Sequence, residues 1–251
     1  MKLRSMICGF AFAVASAAFA AAPDAYATSS NTCGLMNVPS TAETTMVAVP
    51  WVTVLGEGDT MKVANLVKTD TLTAGDELYY YDGSTYYRWL LTGGAWTPSA
   101  TTKDENGTSV TVQAPEADYG IARGKGLFLV RKDTSKEIWL YGQYSASAIS
   151  VTPAAGTATV PAYTMIANPN AADYDLNAKG VAGAAGDQIL LGDGVTLYTR
   201  SATQWTKAVT TTKTLGGKTV PVKTQSAEGV TIPAGQGAWY VSKGGSPTIA
   251  W

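Results

Sequence analysis

The sequence contains no histidine. That removes Ser-His-Asp and Cys-His catalysis, and any zinc or copper site that relies on imidazole. Cysteine is nearly absent too, with only Cys8 and Cys33. Cys8 sits in an apolar N-terminal run, so Cys33 is the one thiol left if that run is removed, and no intramolecular disulfide is expected. Such a thiol is either inert and buried, the preferred reading, or paired between chains. Charge is sparse at 15% of residues, and no run of Lys or Arg occurs. This argues against a nucleic-acid surface. Beyond the N-terminus no stretch of 18 or more residues is continuously apolar, so no transmembrane helix is expected. Long helix-favouring runs of Glu, Lys and Leu are also missing. Thr, Ala, Gly, Val and Tyr are plentiful instead, which points to an all-β protein.

Residues 1–27 read as a secretory signal peptide. Lys2 and Arg4 form a basic start, and Met6–Ala17 is too short to anchor in a membrane. Small-residue cleavage sites lie near residues 20 and 27. Cys8 comes too early for a lipoprotein site. Removing residues 1–27 takes away Lys2, Arg4 and Asp24, leaving 16 basic and 18 acidic residues of the original 18 and 19. The expected location is exported: periplasmic, cell-surface or extracellular.

The segment Ala74–Trp89, AGDELYYYDGSTYYRW, recurs 111 residues later as Ala185–Arg200, AGDQILLGDGVTLYTR. Each copy reads as strand, Asp-Gly turn and strand, a hairpin signal in which Gly supplies positive φ and Asp tolerates it. A two-residue loop would pair Tyr80 with Thr85 and Leu78 with Tyr87. In the second copy it would pair Leu191 with Thr196 and Ile189 with Tyr198. Alternation then puts Leu78, Tyr80, Thr85 and Tyr87 on one buried face, and Ile189, Leu191, Thr196 and Tyr198 on its counterpart.

Other blocks repeat in the same order. Thr45–Val54 has its counterpart in Tyr163–Pro169, and Pro50 and Pro169 are each expected to end a strand or mark an edge. Thr101–Val112 matches Thr211–Val222 as a second hairpin, with turns at Asn106-Gly107 and Gly216-Gly217. Ile121–Leu140 matches Ile232–Trp251. The order implies an internal duplication: a first repeat over 28–142, a linker or first strand over 143–160, and a second repeat over 161–251. The expected fold is a duplicated, antiparallel, hairpin-rich module. It forms two small sandwich-like or barrel-like units, or one fused pseudo-symmetric unit.

Candidate chemistry is thin. Gly124-Lys125-Gly126 and Gly235-Gln236-Gly237 precede strand-favouring residues, so they read as turns rather than phosphate loops. Asp76, Asp82, Asp187 and Asp193 offer a weak calcium alternative. A cation of that kind wants six to eight oxygens, so turn and cap roles are preferred for these acids. The structural turn residues are Asp82, Gly83, Asn106, Gly107, Asp193, Gly194, Gly216 and Gly217. No catalytic residues, no metal site and no cofactor are assigned. Trp96 and Trp205 fall in Gly/Thr-rich stretches and are the candidate exposed binding residues, whereas Phe128 and Trp239 read as core.

The paired pattern AGD…DGxTxY…W…IxxGxGxxxV…I resembles exported bacterial proteins of unknown function built from two such copies. The resemblance covers roughly Gly34 to Trp251. It implies export and a β fold, and no activity. The expected function is a non-enzymatic structural, surface or adhesive protein of the cell envelope or extracellular matrix. The alternatives are a carbohydrate-binding protein using the loop tryptophans, or a small outer-membrane β-barrel. Expected partners are a polysaccharide or other envelope proteins, with self-association open and no nucleic acid.

Overall fold

The computed structural model describes residues 33–251 apart from 41, 55–59, 104–105, 117, 144, 146 and 216–217. The signal-peptide reading of 1–27 and the Gly216-Gly217 turn lie outside the described residues. The first half runs β1 (Cys33–Val38), β2 (Thr44–Ala48), β3 (Thr60–Lys62), α1 (Val63–Leu66), β4 (Glu77–Tyr81), β5 (Tyr86–Thr92) and β6 (Ala95–Pro98). It continues with β7 (Thr101–Lys103), β8 (Ser109–Thr111), β9 (Gly120–Ala122), β10 (Gly126–Val130) and β11 (Ile138–Gln143). The second half runs β12 (Ser150–Val151), β13 (Ala162–Ala167), β14 (Tyr174–Asp175), β15 (Gln188–Leu191) and β16 (Leu197–Arg200). It ends with β17 (Trp205–Leu215), β18 (Lys218–Ser226), β19 (Thr231–Ile232), β20 (Gly237–Ser242) and β21 (Ile249–Ala250).

The protein is all-β, with antiparallel sheets and no closed barrel among the described residues. The first half centres on a five-stranded sheet, β2-β10-β4-β5-β6, and the second on a six-stranded sheet, β13-β20-β15-β16-β17-β18. The central registers correspond. Met46 faces Phe128 as Met165 faces Trp239, and Leu129 faces Leu78 as Tyr240 faces Ile189. The short ribbons correspond too: β1 pairs with β11 as β12 pairs with β21, and β3 pairs with β9 as β14 pairs with β19. Both strands that precede a Pro stop short of it, at Ala48 before Pro50 and at Ala167 before Pro169. A Pro inside the ladder would remove a donor.

Each half buries its own core. Leu78, Trp89, Leu127, Leu129, Ile138 and Leu140 belong to the first, and Ile166, Ile189, Trp205, Ala238, Tyr240 and Ile249 to the second. Each fully buried Leu or Ile contributes about 1.5–3 kcal/mol relative to exposure.

The halves are joined by main chain. Ala48 N–H donates to Gly235 O at 2.8 Å, and Ala167 N–H donates to Gly124 O at 3.0 Å. These are corresponding bonds running in opposite directions. Each GxG turn also packs on the other half. A Cβ at Gly124 would lie 3.1 Å from Val151, and one at Gly235 would lie 2.4 Å from Met36 Sδ and 3.2 Å from Val38.

The first hairpin departs from the expected pairing by two residues. Tyr80 faces Tyr87 and Tyr81 faces Tyr86, leaving a four-residue loop over 82–85. The Asp82 carboxylate accepts from the N–H groups of both Ser84 and Thr85, and Asp82 N–H reaches Thr85 O. Those bonds close the wider loop. In the second half Ile189 faces Tyr198, the register expected, with the strands ending at Leu191 and resuming at Leu197. A shift of two residues keeps every side chain on its face, so Leu78 and Tyr80 are buried and Tyr87 packs against the core. Thr85 and Thr196 sit in the loops instead.

Candidate functional site

The recurring acids are held by the chain's own donors. Asp76 is buried and accepts from Thr73 N–H at 2.9 Å and Lys132 N–H at 2.7 Å. Asp187 is buried likewise and accepts from Ala184 N–H at 2.8 Å and Lys243 N–H at 2.7 Å. Tyr240 O–H adds a bond to Asp187 at 2.7 Å, where Leu129 stands in the first half. Each carboxylate therefore closes its Ala-Gly-Asp turn and ties it to the segment after β10 or β20. Gly75 and Gly186 take φ values of 93° and 94°, which only Gly adopts at low cost.

Asp82 and Asp193 lie at the hairpin tips. Asp193 accepts from the N–H groups of Val195 and Thr196 at 2.9 and 2.8 Å. Burial raises both carboxyls, but hydrogen bonds from Ser84 and Thr85, and from Thr196 and Val195, outweigh it and hold them below their ordinary range. Among the described residues, no three of His, Cys, Asp and Glu come together as a metal-holding group.

Trp96 and Trp205 are not exposed platforms. They are 5% and 0% exposed and lie in β6 and at the start of β17. Each indole N–H donates to a carbonyl of its own half, Trp96 to Val67 O at 3.3 Å and Trp205 to Val181 O at 2.9 Å. A short strand followed by a Gly-rich turn resembles a loop in sequence. The core needs a large side chain there, and the carbonyl satisfies the one polar atom of the ring.

The exposed aromatics lie elsewhere. In β10, Leu127 and Leu129 point into the core, so Phe128 points away from it. In β20, Ala238 and Tyr240 point in and Trp239 points out. The two apolar runs read as core on both faces, but only one face is. Phe128 and Trp239 meet across the seam between the halves, with ring centroids 5.7 Å apart. Tyr81 stands 5.7 Å from Trp239 and 4.7 Å from Tyr86. Tyr163 meets Trp239 edge-on at 6.3 Å. Tyr86 and Tyr163 are 43% and 53% exposed. A continuous aromatic row, Tyr86–Tyr81–Trp239–Tyr163, thus crosses from one half to the other.

Two clefts flank this row at corresponding places. One, of about 180 Å³, is lined by Thr44, Met46, Phe128, Leu190, Asp193 and Trp239. The other, of about 160 Å³, is lined by Tyr81, Asp82, Lys125, Thr152, Thr164 and Met165. In each cleft the Asp-Gly tip of one half meets the Met strand of the other. Burial pushes the Lys125 ammonium below the ordinary lysine range. The arrangement offers flat apolar rings beside a few polar groups, which suits contact and binding.

Comparison of the chain with protein-family models, with curated proteins and with solved structures returns no match.

Proposed function

We propose that this protein is an exported, non-enzymatic surface or adhesive component of the cell envelope or extracellular matrix, and that it makes contact through the aromatic row. The carrying observation is the row of rings across the seam, with Tyr86 and Tyr163 exposed at its ends and Tyr81 and Trp239 half-buried between them. Exposed aromatics rimmed by polar groups mark interaction surfaces. Asp76 and Asp187, which recur in the two halves, are by contrast buried and engaged by backbone donors. The matched registers support descent of both halves from one duplicated module, with the contact face formed where the copies join.

A carbohydrate is the preferred partner of this row. Sugar rings present C–H faces that stack on aromatic rings, and hydroxyls that pair with groups such as Asp82, Thr164 and Asp193 beside them. The sugar-binding reading therefore moves from Trp96 and Trp205 to Tyr81, Tyr86, Tyr163 and Trp239. The test is a pull-down of residues 28–251 on insoluble polysaccharides, beside a Tyr86→Ser, Tyr163→Ser variant. Both substitutions are at exposed positions, so the fold is retained. Retention lost in the variant supports the reading. Equal retention, or none by either protein, sinks the carbohydrate arm and leaves a protein partner for the row.

A further inference from the structure

Among the described residues, the second half carries a longer two-stranded arm than the first. β17 and β18 pair over nine residue positions, from Lys207↔Ser226 to Leu215↔Lys218. The matching ribbon of the first half, β7 with β8, pairs over three. β17 meets β16 only at residues 205–207, so beyond Lys207 the ribbon stands two strands wide. Residues 210–214, 218, 219 and 221 are exposed, so neither face is covered along most of its length. A two-stranded ribbon has no core of its own and is marginal in water.

Its charge is one-sided. Between residues 205 and 227 stand Lys207, Lys213, Lys218 and Lys223, with no acid. The remaining 14 basic and 19 acidic residues, out of 18 and 19, leave the rest of the chain acidic. Lys207 is tethered through Nζ to Gly229 O at 2.8 Å. Among the described residues, the ion pairs Lys62–Asp118, Lys68–Asp70 and Arg88–Glu77 use none of the arm lysines. Lysines and Pro221 on an open edge also discourage edge-to-edge pairing. Edge protection draws on the same lysines, and four cations with no anion also give the ribbon a one-sided positive field.

We infer that the β17–β18 arm is a binding site for an acidic polysaccharide, engaged by Lys213, Lys218 and Lys223. The complementarity is of charge: a narrow cationic ribbon on an acidic body suits a flexible chain of carboxylates. Beyond Trp205 at its base the arm holds no aromatic residue. This disfavours a membrane surface, where amphipathic rings anchor. The inference rests on the proposed export only for where such a polymer would be met, and the site is separate from the aromatic row.

The test is binding of soluble polygalacturonate to residues 28–251 at low salt, beside dextran, phosphatidylglycerol vesicles and a Lys213→Glu, Lys218→Glu, Lys223→Glu variant. Circular dichroism and gel filtration check the fold, and a Lys→Gln triple variant replaces the Glu triple if that one fails to fold. Polygalacturonate binding should fall on the order of tenfold in the variant, and by a similar factor between about 50 and 200 mM salt. The Tyr86→Ser, Tyr163→Ser variant should bind it unchanged, which separates this site from the proposed contact row. Unchanged binding by the triple variant overturns the inference. So does no binding by the parent, or equal binding to dextran or to the vesicles.

Discussion

Phe128 and Trp239 occupy corresponding ladder positions in the two halves, and their rings touch with centroids 5.7 Å apart. A contact between corresponding residues is what a pseudo-two-fold arrangement produces at its axis. Tilted aromatic pairs of this kind contribute about 0.5–1.5 kcal/mol beyond their area. A double-mutant cycle on Phe128→Ala and Trp239→Ala should therefore give a coupling energy of that size in urea melts. Additive effects would show that the two rings are neighbours without being partners.

The seam also depends on one glycine without a counterpart. Gly192 stands where Tyr81 stands in the first half, and a Cβ there would lie 2.5 Å from Met46 Cβ and 2.9 Å from Met46 N. Backbone cannot move aside as a flexible side-chain end can. Gly192→Ala should cost about 1–3 kcal/mol through overpacking. Gly93→Ala is the comparison: its Cβ meets nothing within 4 Å, and its φ of 59° leaves only backbone strain. A stability loss no larger for Gly192→Ala than for Gly93→Ala would mean that the seam yields.

Much of this architecture is legible in the sequence, because the hairpin signals are local. Asp-Gly with flanking alternation gives Leu78 and Tyr80 their inward face from chemistry within a few residues. The same alternation already directs Tyr79, Tyr81 and Tyr86 outward. What local pattern does not carry is which side of an all-apolar run meets solvent. Leu127-Phe128-Leu129 has no polar residue to mark the outer face, and that face is set by the other half packing beside it. Trp96 and Trp205 read as exposed for the opposite reason. Their neighbours are loop-like, and their burial comes from cores built by strands distant in sequence. The length of the β17–β18 arm was hidden because its Thr-Lys and Gly signals match those of the short β7–β8 ribbon.

The two buried tryptophans make the same kind of bond, so they should respond alike. Trp205→Phe keeps most of the ring but leaves Val181 O without the donor now 2.9 Å away. A cost of about 1–3 kcal/mol follows for a buried acceptor left unpaired. Trp205→Ala adds a cavity and should cost about 3–5 kcal/mol. The readout is the urea midpoint. Iodide should quench Trp205 little in the parent, since the ring is fully buried. A Phe variant as stable as the parent would show that the bond contributes nothing net.

The acid limb of stability should carry the signature of Glu77. Arg88 is buried and donates through Nε to the Glu77 carboxylate at 2.8 Å, and through Nη1 to Ser99 Oγ at 2.5 Å. Burial alone would raise the Glu77 carboxyl. Hydrogen bonds from Arg88 and Tyr79, with the Arg88 charge, outweigh it and hold the carboxyl below its ordinary value. A folded-state value below the unfolded one means that this stabilisation is complete above roughly pH 4.3, and is lost as the pH falls through the folded value. Glu77→Gln removes the anion and leaves the buried guanidinium under-compensated, at a cost of about 3 kcal/mol near neutral pH. Asp82 and Asp193 are also held low, but they titrate in both proteins and cancel in the comparison. Urea midpoints of parent and Glu77→Gln should therefore differ most near pH 7 and converge below about pH 4. A gap that stays constant down to pH 3 would show that the pair acts through shape and not through charge.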